Sequence, residues 1–385
     1  MANKSLYFKN LDSIRFIAAM LVFNQHVLSK SFNLLNIESP FLNRFLYLIS
    51  NGGTGVSIFF VLSGFLITYL IITEIEIKGR LNLGKFYIRR FLRIWPLYFA
   101  VIFFWFVIYA GIKSLVGINS PLGSNILYHL TFLSNFDVLT IYQAGKGVDG
   151  MFQNINWSVS IEEQFYFIWP IIFLLPKRLW VYLMLLLLAF SIWFRLENAQ
   201  DVLVNYLHTF SVLVDLVIGG LFAWGVKKMV LLRRLFEKSN TLSHLLLFGL
   251  TFFVLMSGTE FILGDYDLSL GRIITSTLFA LIIVSQALAK GRSILNLSNF
   301  GFGNRWGKMT YGIYLLHPIT LKMVDLFCRT IHFDHQNNIY NSVIASAVIF
   351  VLTLTLSYVS YHYFEIRFLK LKSTFQIVRS NTDVS

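Results

Sequence analysis

Cysteine is nearly absent: Cys328 is the only one in 385 residues, so no disulfide closes within the chain and no cysteine metal cluster exists. Charge is scarce too. Only 13% of residues are Asp, Glu, Lys or Arg, against 56% hydrophobic and 17% aromatic, and the mean hydropathy is +0.66. That balance excludes an ordinary soluble domain. The apolar runs lack the alternation of barrel strands, which excludes a β-barrel. No internal repeat is evident, which weakens an inverted-repeat transporter. The first apolar stretch has no small-residue cleavage pattern after it and predicts an uncleaved signal-anchor.

What is present is a series of apolar stretches long enough to cross a bilayer, where only helices or closed barrels satisfy their backbone groups. Ten spans are predicted, over 11–30, 55–73, 94–115, 157–175, 179–195, 206–226, 242–263, 271–289, 309–327 and 341–364. The expectation is an all-α polytopic integral membrane bundle, with residues 1–372 as one membrane domain and 373–385 as a short polar cytoplasmic tail. Placing the N-terminus in the cytoplasm puts 23 Lys and Arg on that side and 6 on the other, so both termini are expected there. This distribution ties the net charge of +13 to a lipid bilayer and not to nucleic acid. A multi-pass protein of the plasma or inner membrane follows. Residues 74–93 are expected to form an arginine-rich cytoplasmic loop. Residues 116–156, with "PLGSNILYHLTFLSNF" and "AGKGVDG", form a long outer one, suited to a lid or binding surface or else a loosely packed linker.

Several ionisable residues fall inside apolar runs, where they are costly and by default suggest function. In "LDSIRFIAAMLVFNQH", Arg15 and His26 are eleven residues apart, so they share a helix face at about 16 Å along the axis. Snorkelling to headgroups for Arg15 and a structural hydrogen bond for His26 are the plain alternatives. In "NINWSVSIEEQFYFIWPIIF", Glu162 and Glu163 lie inside an apolar helix entered from the outer side, Glu162 about 8 Å below that boundary and close to the outer-leaflet depth expected for His26. A carboxylate beside an imidazole makes a general base near neutral pH; a structural ion pair or cation site is the alternative. Adjacent residues point about 100° apart, so one glutamate at most meets His26. In "KFYIRRFLRIWPLYF", Arg89 and Arg93 share a face with Arg90 nearby, a cluster suited to phosphate or simply to topology. The glycines of "NGGTGVSIFFVLSGFLIT" suggest close packing, and His317 in "YGIYLLHPI" is a packing or functional histidine at membrane depth.

In this order and at these spans, the segments "LDSIRFIAAMLVFNQH", "GVSIFFVLSGFLIT", "RRFLRIWPLYF", "WSVSIEEQFYF" and "YGIYLLHP" resemble the signature segments of the membrane acyltransferase-3 family. The resemblance spans roughly residues 8 to 370. It implies a ten-helix core, cytoplasmic acyl-CoA (acetyl-CoA by default) as donor, no metal, and a glycan or other hydroxyl-bearing acceptor reached from the outer side. The family's Arg-x10-His falls on Arg15 and His26, its basic motif on Arg89, Arg90 and Arg93, and its Trp-Ser…Glu motif on Trp157, Ser158 and Glu162. The resemblance thus selects Glu162 over Glu163. Two positions depart from it: Ser57 where many members are acidic, and Phe16 where many have glycine.

The implied roles are His26 as base oriented by Glu162, with Arg15, Arg89, Arg90 and Arg93 on the donor. Trp157, Ser158 and Tyr166 are expected at the acceptor end, and Tyr311, Tyr314 and His317 along a connecting tunnel. Some members carry an extracellular esterase-like domain. None is recognised in this sequence, so the membrane domain is expected to engage the acceptor itself. The rival classes are an envelope-glycan transporter or flippase using Arg15, His26 and Glu162 as a proton or substrate pathway, and a noncatalytic scaffold.

Overall fold

The computed structural model describes residues 8–35, 37–115, 123–145, 155–259, 263–264, 267–290, 293–334 and 338–375. Among these there is no β-strand. Ten helices occupy the ten expected positions: α1 (Lys9–Val27), α2 (Gly52–Lys78), α3 (Leu83–Phe103), α4 (Asn156–Ile172), α5 (Trp180–Glu197), α6 (Thr209–Lys228), α7 (Thr241–Ser257), α8 (Asp267–Leu288), α9 (Thr310–Thr330) and α10 (Ile339–Val359). Shorter helices join or extend them.

Length and apolarity mark six of the described helices as able to cross a membrane, and a seventh if Val230–Glu237 and α7, bent by 99°, form one span. The expected count of ten is one these two criteria do not reach. The shortfall is informative. The helices left out are α1, which carries Asp12 and Arg15, α4, which has 17 residues and both glutamates, and α9, which carries Lys322, Asp325 and Arg329. Asp12, Glu163 and Asp325 are buried and so face protein rather than lipid, while Arg329, near the end of α9, is largely exposed.

The expected loop over 74–93 is mostly helix. Gly79, in the left-handed region at φ 75°, ends α2, and the Asn82 side chain caps α3 by accepting from Lys85 N–H at 2.9 Å. The arginines therefore ride on α3 itself. Beyond Phe103, a π-helical turn over Phe104–Tyr109 carries the helix on to Leu115. Much of "AGKGVDG" and of the outer loop around it lies outside the described residues.

α2 is the axis of the bundle. It packs on α1 along one side, and on the other it crosses α6 so closely that a Cβ at Gly64 would run into the Leu216 carbonyl and one at Gly219 into the Val61 carbonyl. Without a hydrophobic force between helices in lipid, such close backbone approach supplies the packing. α1 and α2 are antiparallel: Asn24 Nδ2 donates to the Ile49 carbonyl at 2.9 Å just before α2 begins. α9 runs beside α1, with the Phe23 and His317 rings 6.0 Å apart. Both described ends of the chain lie at one end of the bundle. Phe8 packs edge-on to Tyr69, and the Phe375 carbonyl accepts from Arg89 at 3.2 Å.

At the opposite end, residues 123–145 fold back over the helices. The Tyr98 hydroxyl donates to the His129 carbonyl at 2.9 Å, and Gln164 Nε2 donates to the Phe132 carbonyl at 2.7 Å. Val138 and Tyr142 are thereby set over the site.

Candidate active site

α1, α2, α3, α4 and α9 converge on two cavities. The inner one, about 130 Å³, opens nearer the end that carries the chain termini. Arg15, Arg90 and Arg93 line it, together with Glu162, Ser63 and Tyr166. Its far wall is Ser158, Tyr311, Tyr314 and Val56.

The charges here are only partly compensated. Arg15 pairs with Asp12 one turn back, at 2.5 Å. The Glu162 carboxylate accepts from Ser63 Oγ at 2.6 Å and from the Tyr166 hydroxyl at 3.3 Å. Arg90 lies over the Tyr166 ring at 5.8 Å and leaves a buried Nε without a partner. Arg93 makes no hydrogen bond or ion pair among the described residues. A small cavity with two guanidinium groups lacking an ion-pair partner is receptive to an anion.

The outer cavity, about 170 Å³, holds His26 on α1 and Trp157 at the start of α4. Gln25, Tyr206 and Tyr142 also line it, and the Trp157 and Tyr206 rings stand 5.0 Å apart. Val56 and Tyr314 line both cavities and so form the wall between them. Tyr314 is fixed in that wall by its hydroxyl, 2.6 Å from Ser158 Oγ.

Several expected residues are placed differently from the sequence-based reading. Glu162 does not sit beside His26. Its partners are Ser63 and Tyr166, and it faces the arginine cavity while His26 faces the outer one. The ring next to His26 is that of His317, with centroids 5.4 Å apart. His317 Nδ1–H donates to the Ile313 carbonyl at 3.0 Å, which leaves Nε2 as an acceptor, and that buried atom has no partner.

Arg89 is outside the cavity. It shares a face with Arg93 but lies one turn nearer the start of α3, where it pairs with Glu74 at 2.8 Å and holds the Phe375 carbonyl. Tyr166 lines the inner cavity and not the acceptor end, since it lies one turn beyond Glu162 on the same face of α4. Glu163 points elsewhere, accepting from Trp95 Nε1 at 2.8 Å. Tyr311 is tied to the Ile94 carbonyl at 2.8 Å.

Residues that the sequence did not single out complete the picture: Ser63 and Thr310 in the inner cavity, Gln25 and Tyr206 in the outer one. Asp215 on α6 is fully buried and accepts from Arg272 at 2.7 Å, Ser276 at 2.6 Å and Ser57 at 2.9 Å. A lone carboxylate in an apolar run was the signal that could have found it.

An anion-receptive cavity and an imidazole cavity thus share one wall inside a bundle of apolar helices. The family model described as an acyltransferase domain matches residues 8–362, and the chain belongs to that family, acyltransferase 3. It is similar to the peptidoglycan O-acetyltransferase OatA of Listeria monocytogenes, 28% identical over 370 residues, which covers 90% of this chain and 54% of that protein. It is 27% identical over 377 residues to the putative peptidoglycan O-acetyltransferase YrhL of Bacillus subtilis, covering 93% and 54%. A putative O-acetyltransferase of Staphylococcus aureus, SACOL0978, is 26% identical over 397 residues, covering 95% and 58%. The chain thus spans about half the length of the curated relatives it matches. No solved structure matches it. The family does not favour the transporter reading.

Proposed function

We propose that this chain is a membrane O-acyltransferase unit. It moves an acyl group, acetyl by resemblance, from acyl-CoA on the cytoplasmic side to a hydroxyl of an envelope glycan, of the peptidoglycan class named for its relatives. The observation that carries this reading is the shared Val56–Tyr314 wall, with arginines on one side and His26 on the other.

In this reading Arg90 and Arg93 take the phosphate charge of the donor, and Arg15 completes the basic rim. The inner cavity is too small for a whole nucleotide thioester, so the nucleotide stays at the mouth and the narrow pantetheine arm passes Tyr314. His26 accepts the proton of the acceptor hydroxyl as that oxygen attacks the thioester carbonyl carbon. A C–O bond forms, the C–S bond breaks, and His26 returns the proton to the departing thiolate. The His317 ring, its centroid 5.4 Å from that of His26, packs beside the base and limits how it can turn. Glu162, held by Ser63 and Tyr166, offsets and spaces the arginines rather than orienting the base.

The test uses the full chain in lipid vesicles with labelled acetyl-CoA and a glycan oligomer. Label on a glycan hydroxyl is expected. Glycan movement across the vesicle, with no label transferred and no dependence on acetyl-CoA, would contradict the reading.

A further inference from the structure

A third cavity, about 650 Å³, lies beside the outer one, and its chemistry differs from both of the others. Gln25 and Tyr206 line this cavity and the His26 cavity alike, so the two are neighbours across those side chains. Its size falls within the roughly 300–1,000 Å³ usual for small-ligand pockets, which neither smaller cavity reaches.

The described lining carries no charged side chain. It consists of amides (Gln25, Asn33, Asn43, Asn51), hydroxyls (Ser29, Ser50, Tyr47, Tyr206) and a few apolar groups. A phosphate or carboxylate ligand would call for cations here, as in the inner cavity. A hydrocarbon ligand would not call for four amides, whose desolvation it could not repay with hydrogen bonds. What matches is a neutral polyhydroxyl. Each carboxamide offers a donor and an acceptor at the spacing of neighbouring hydroxyls, and tyrosine rings present flat apolar faces to sugar C–H groups.

Some of these polar groups are already in use, and the division matters. Ser29, Ser50 and Asn43 donate to the backbone carbonyls of Gln25, Leu46 and Ile37, and Asn51 Oδ1 caps α2. They shape the pocket. By contrast, the side chains of Gln25, Asn33 and Tyr206 make no hydrogen bond to the described residues, so their full capacity is available to a ligand. Gln25 also lies where a Cβ at Gly52 would strike its Oε1, so the glycine leaves room for that amide.

We propose that this cavity is the acceptor subsite and takes an uncharged sugar unit, which Gln25, Asn33 and Tyr206 hold with a hydroxyl directed past Gln25 to His26. The proposal rests on the transferase reading for its role, but its ligand chemistry can be tested separately.

The experiment titrates a neutral β-1,4-linked N-acetylglucosamine tetramer against the full chain in nanodiscs, by calorimetry, with no donor present. Variants Gln25→Leu, Asn33→Leu and Gly52→Ala each remove or displace one amide. Saturable binding is expected, with Kd raised about five- to tenfold by each variant, the cost of about one lost hydrogen bond. The absence of saturable binding, an unchanged Kd in all three variants, or stronger binding of a glycerol-phosphate polymer would overturn the proposal. Acetyl-CoA is then added. Binding that depends on the three residues without any transfer sustains the sugar subsite and sinks the transferase reading. Transfer that all three variants leave untouched, in acceptor KM as well as rate, does the reverse.

Discussion

The Tyr314 hydroxyl lies 2.6 Å from Ser158 Oγ, and this contact fixes an aromatic ring of α9 in the wall between two cavities of opposite character. Tyr314→Phe keeps the ring and removes its tether, while Ser158 retains the Ile155 carbonyl at 3.2 Å. The fold should persist. One lost hydrogen bond corresponds to about 1 kcal/mol, so the rate of acyl transfer should fall about fivefold while donor KM stays within twofold. Steady-state kinetics with each substrate varied in turn checks this. A changed donor KM with an unchanged rate would remove Tyr314 from the passage.

The three arginines of α3 should separate into two kinds. Arg93→Ala and Arg90→Ala each remove a charged donor facing the inner cavity, so donor KM should rise about tenfold to a hundredfold, the scale of one charge-assisted hydrogen bond. Arg89→Ala should act on stability instead, because it strips Glu74, 4% exposed, of its cation. A lower melting temperature with a much smaller change in donor KM is the expected signature, read by thermal melts beside kinetics.

Asp215 stands between Arg272 and two serines with no solvent contact. Asp215→Asn leaves the Arg272 guanidinium buried without its countercharge, which costs about 3–5 kcal/mol where one partner of a buried pair is removed. Ser57→Ala removes the hydrogen bond to Asp215 and a long contact with Ser276 but no charge, and should cost about 1 kcal/mol. Denaturation in mild detergent should rank the two in that order. Equal stability of Asp215→Asn and the parent would show the pair to be dispensable.

The outer segment should loosen in acid. Burial pushes the His129 imidazole down to about 4. Its Nε2 is 2.8 Å from Ser124 Oγ, whose proton goes to Asp137, so Nε2 carries the hydrogen and Nδ1 accepts from Asn156 at 3.3 Å. Asp137, 3.8 Å away, is the charged group facing it, and the Phe106 ring covers it. The opened segment binds a proton with the ordinary pKa of about 6.5, so opening gains up to tenfold per pH unit as pH falls from about 6.5 toward 4, and nothing above that window. Hydrogen exchange over 123–143, corrected for the intrinsic rate, measures it. An equal pH slope in His129→Asn would remove His129 as the cause.

Much of this architecture is legible in the sequence, and the reasons are physical. The expected spans fall on helices, and hydropathy is decisive for the six or seven that are long and apolar enough to cross a membrane, because a lipid-facing surface must be apolar over its length. Arg15, His26 and Glu162 stood out because charge at membrane depth is rare. Ser63, which meets Glu162, did not, and although His317 stood out by itself its pairing with His26 did not, because these contacts join remote segments. Depth along a helix can be counted from residue numbers, but the direction a side chain faces depends on how neighbouring helices are rotated. That is why Glu162 and His26 were expected together and lie in different cavities. The neutral cavity was silent for another reason. Amides and hydroxyls carry no signal until three stretches of chain, 25–33, 43–53 and Tyr206, gather them.

The central claim is that His26 performs proton transfer at the far side of the Tyr314 wall from the donor's charge. The most direct measurement is His26→Ala in correctly inserted protein, with donor affinity by titration and acyl transfer by single turnover. Transfer should fall by about 10²- to 10⁴-fold, the usual contribution of a general base, while acyl-CoA Kd stays within twofold. Transfer at the parent rate would contradict the account.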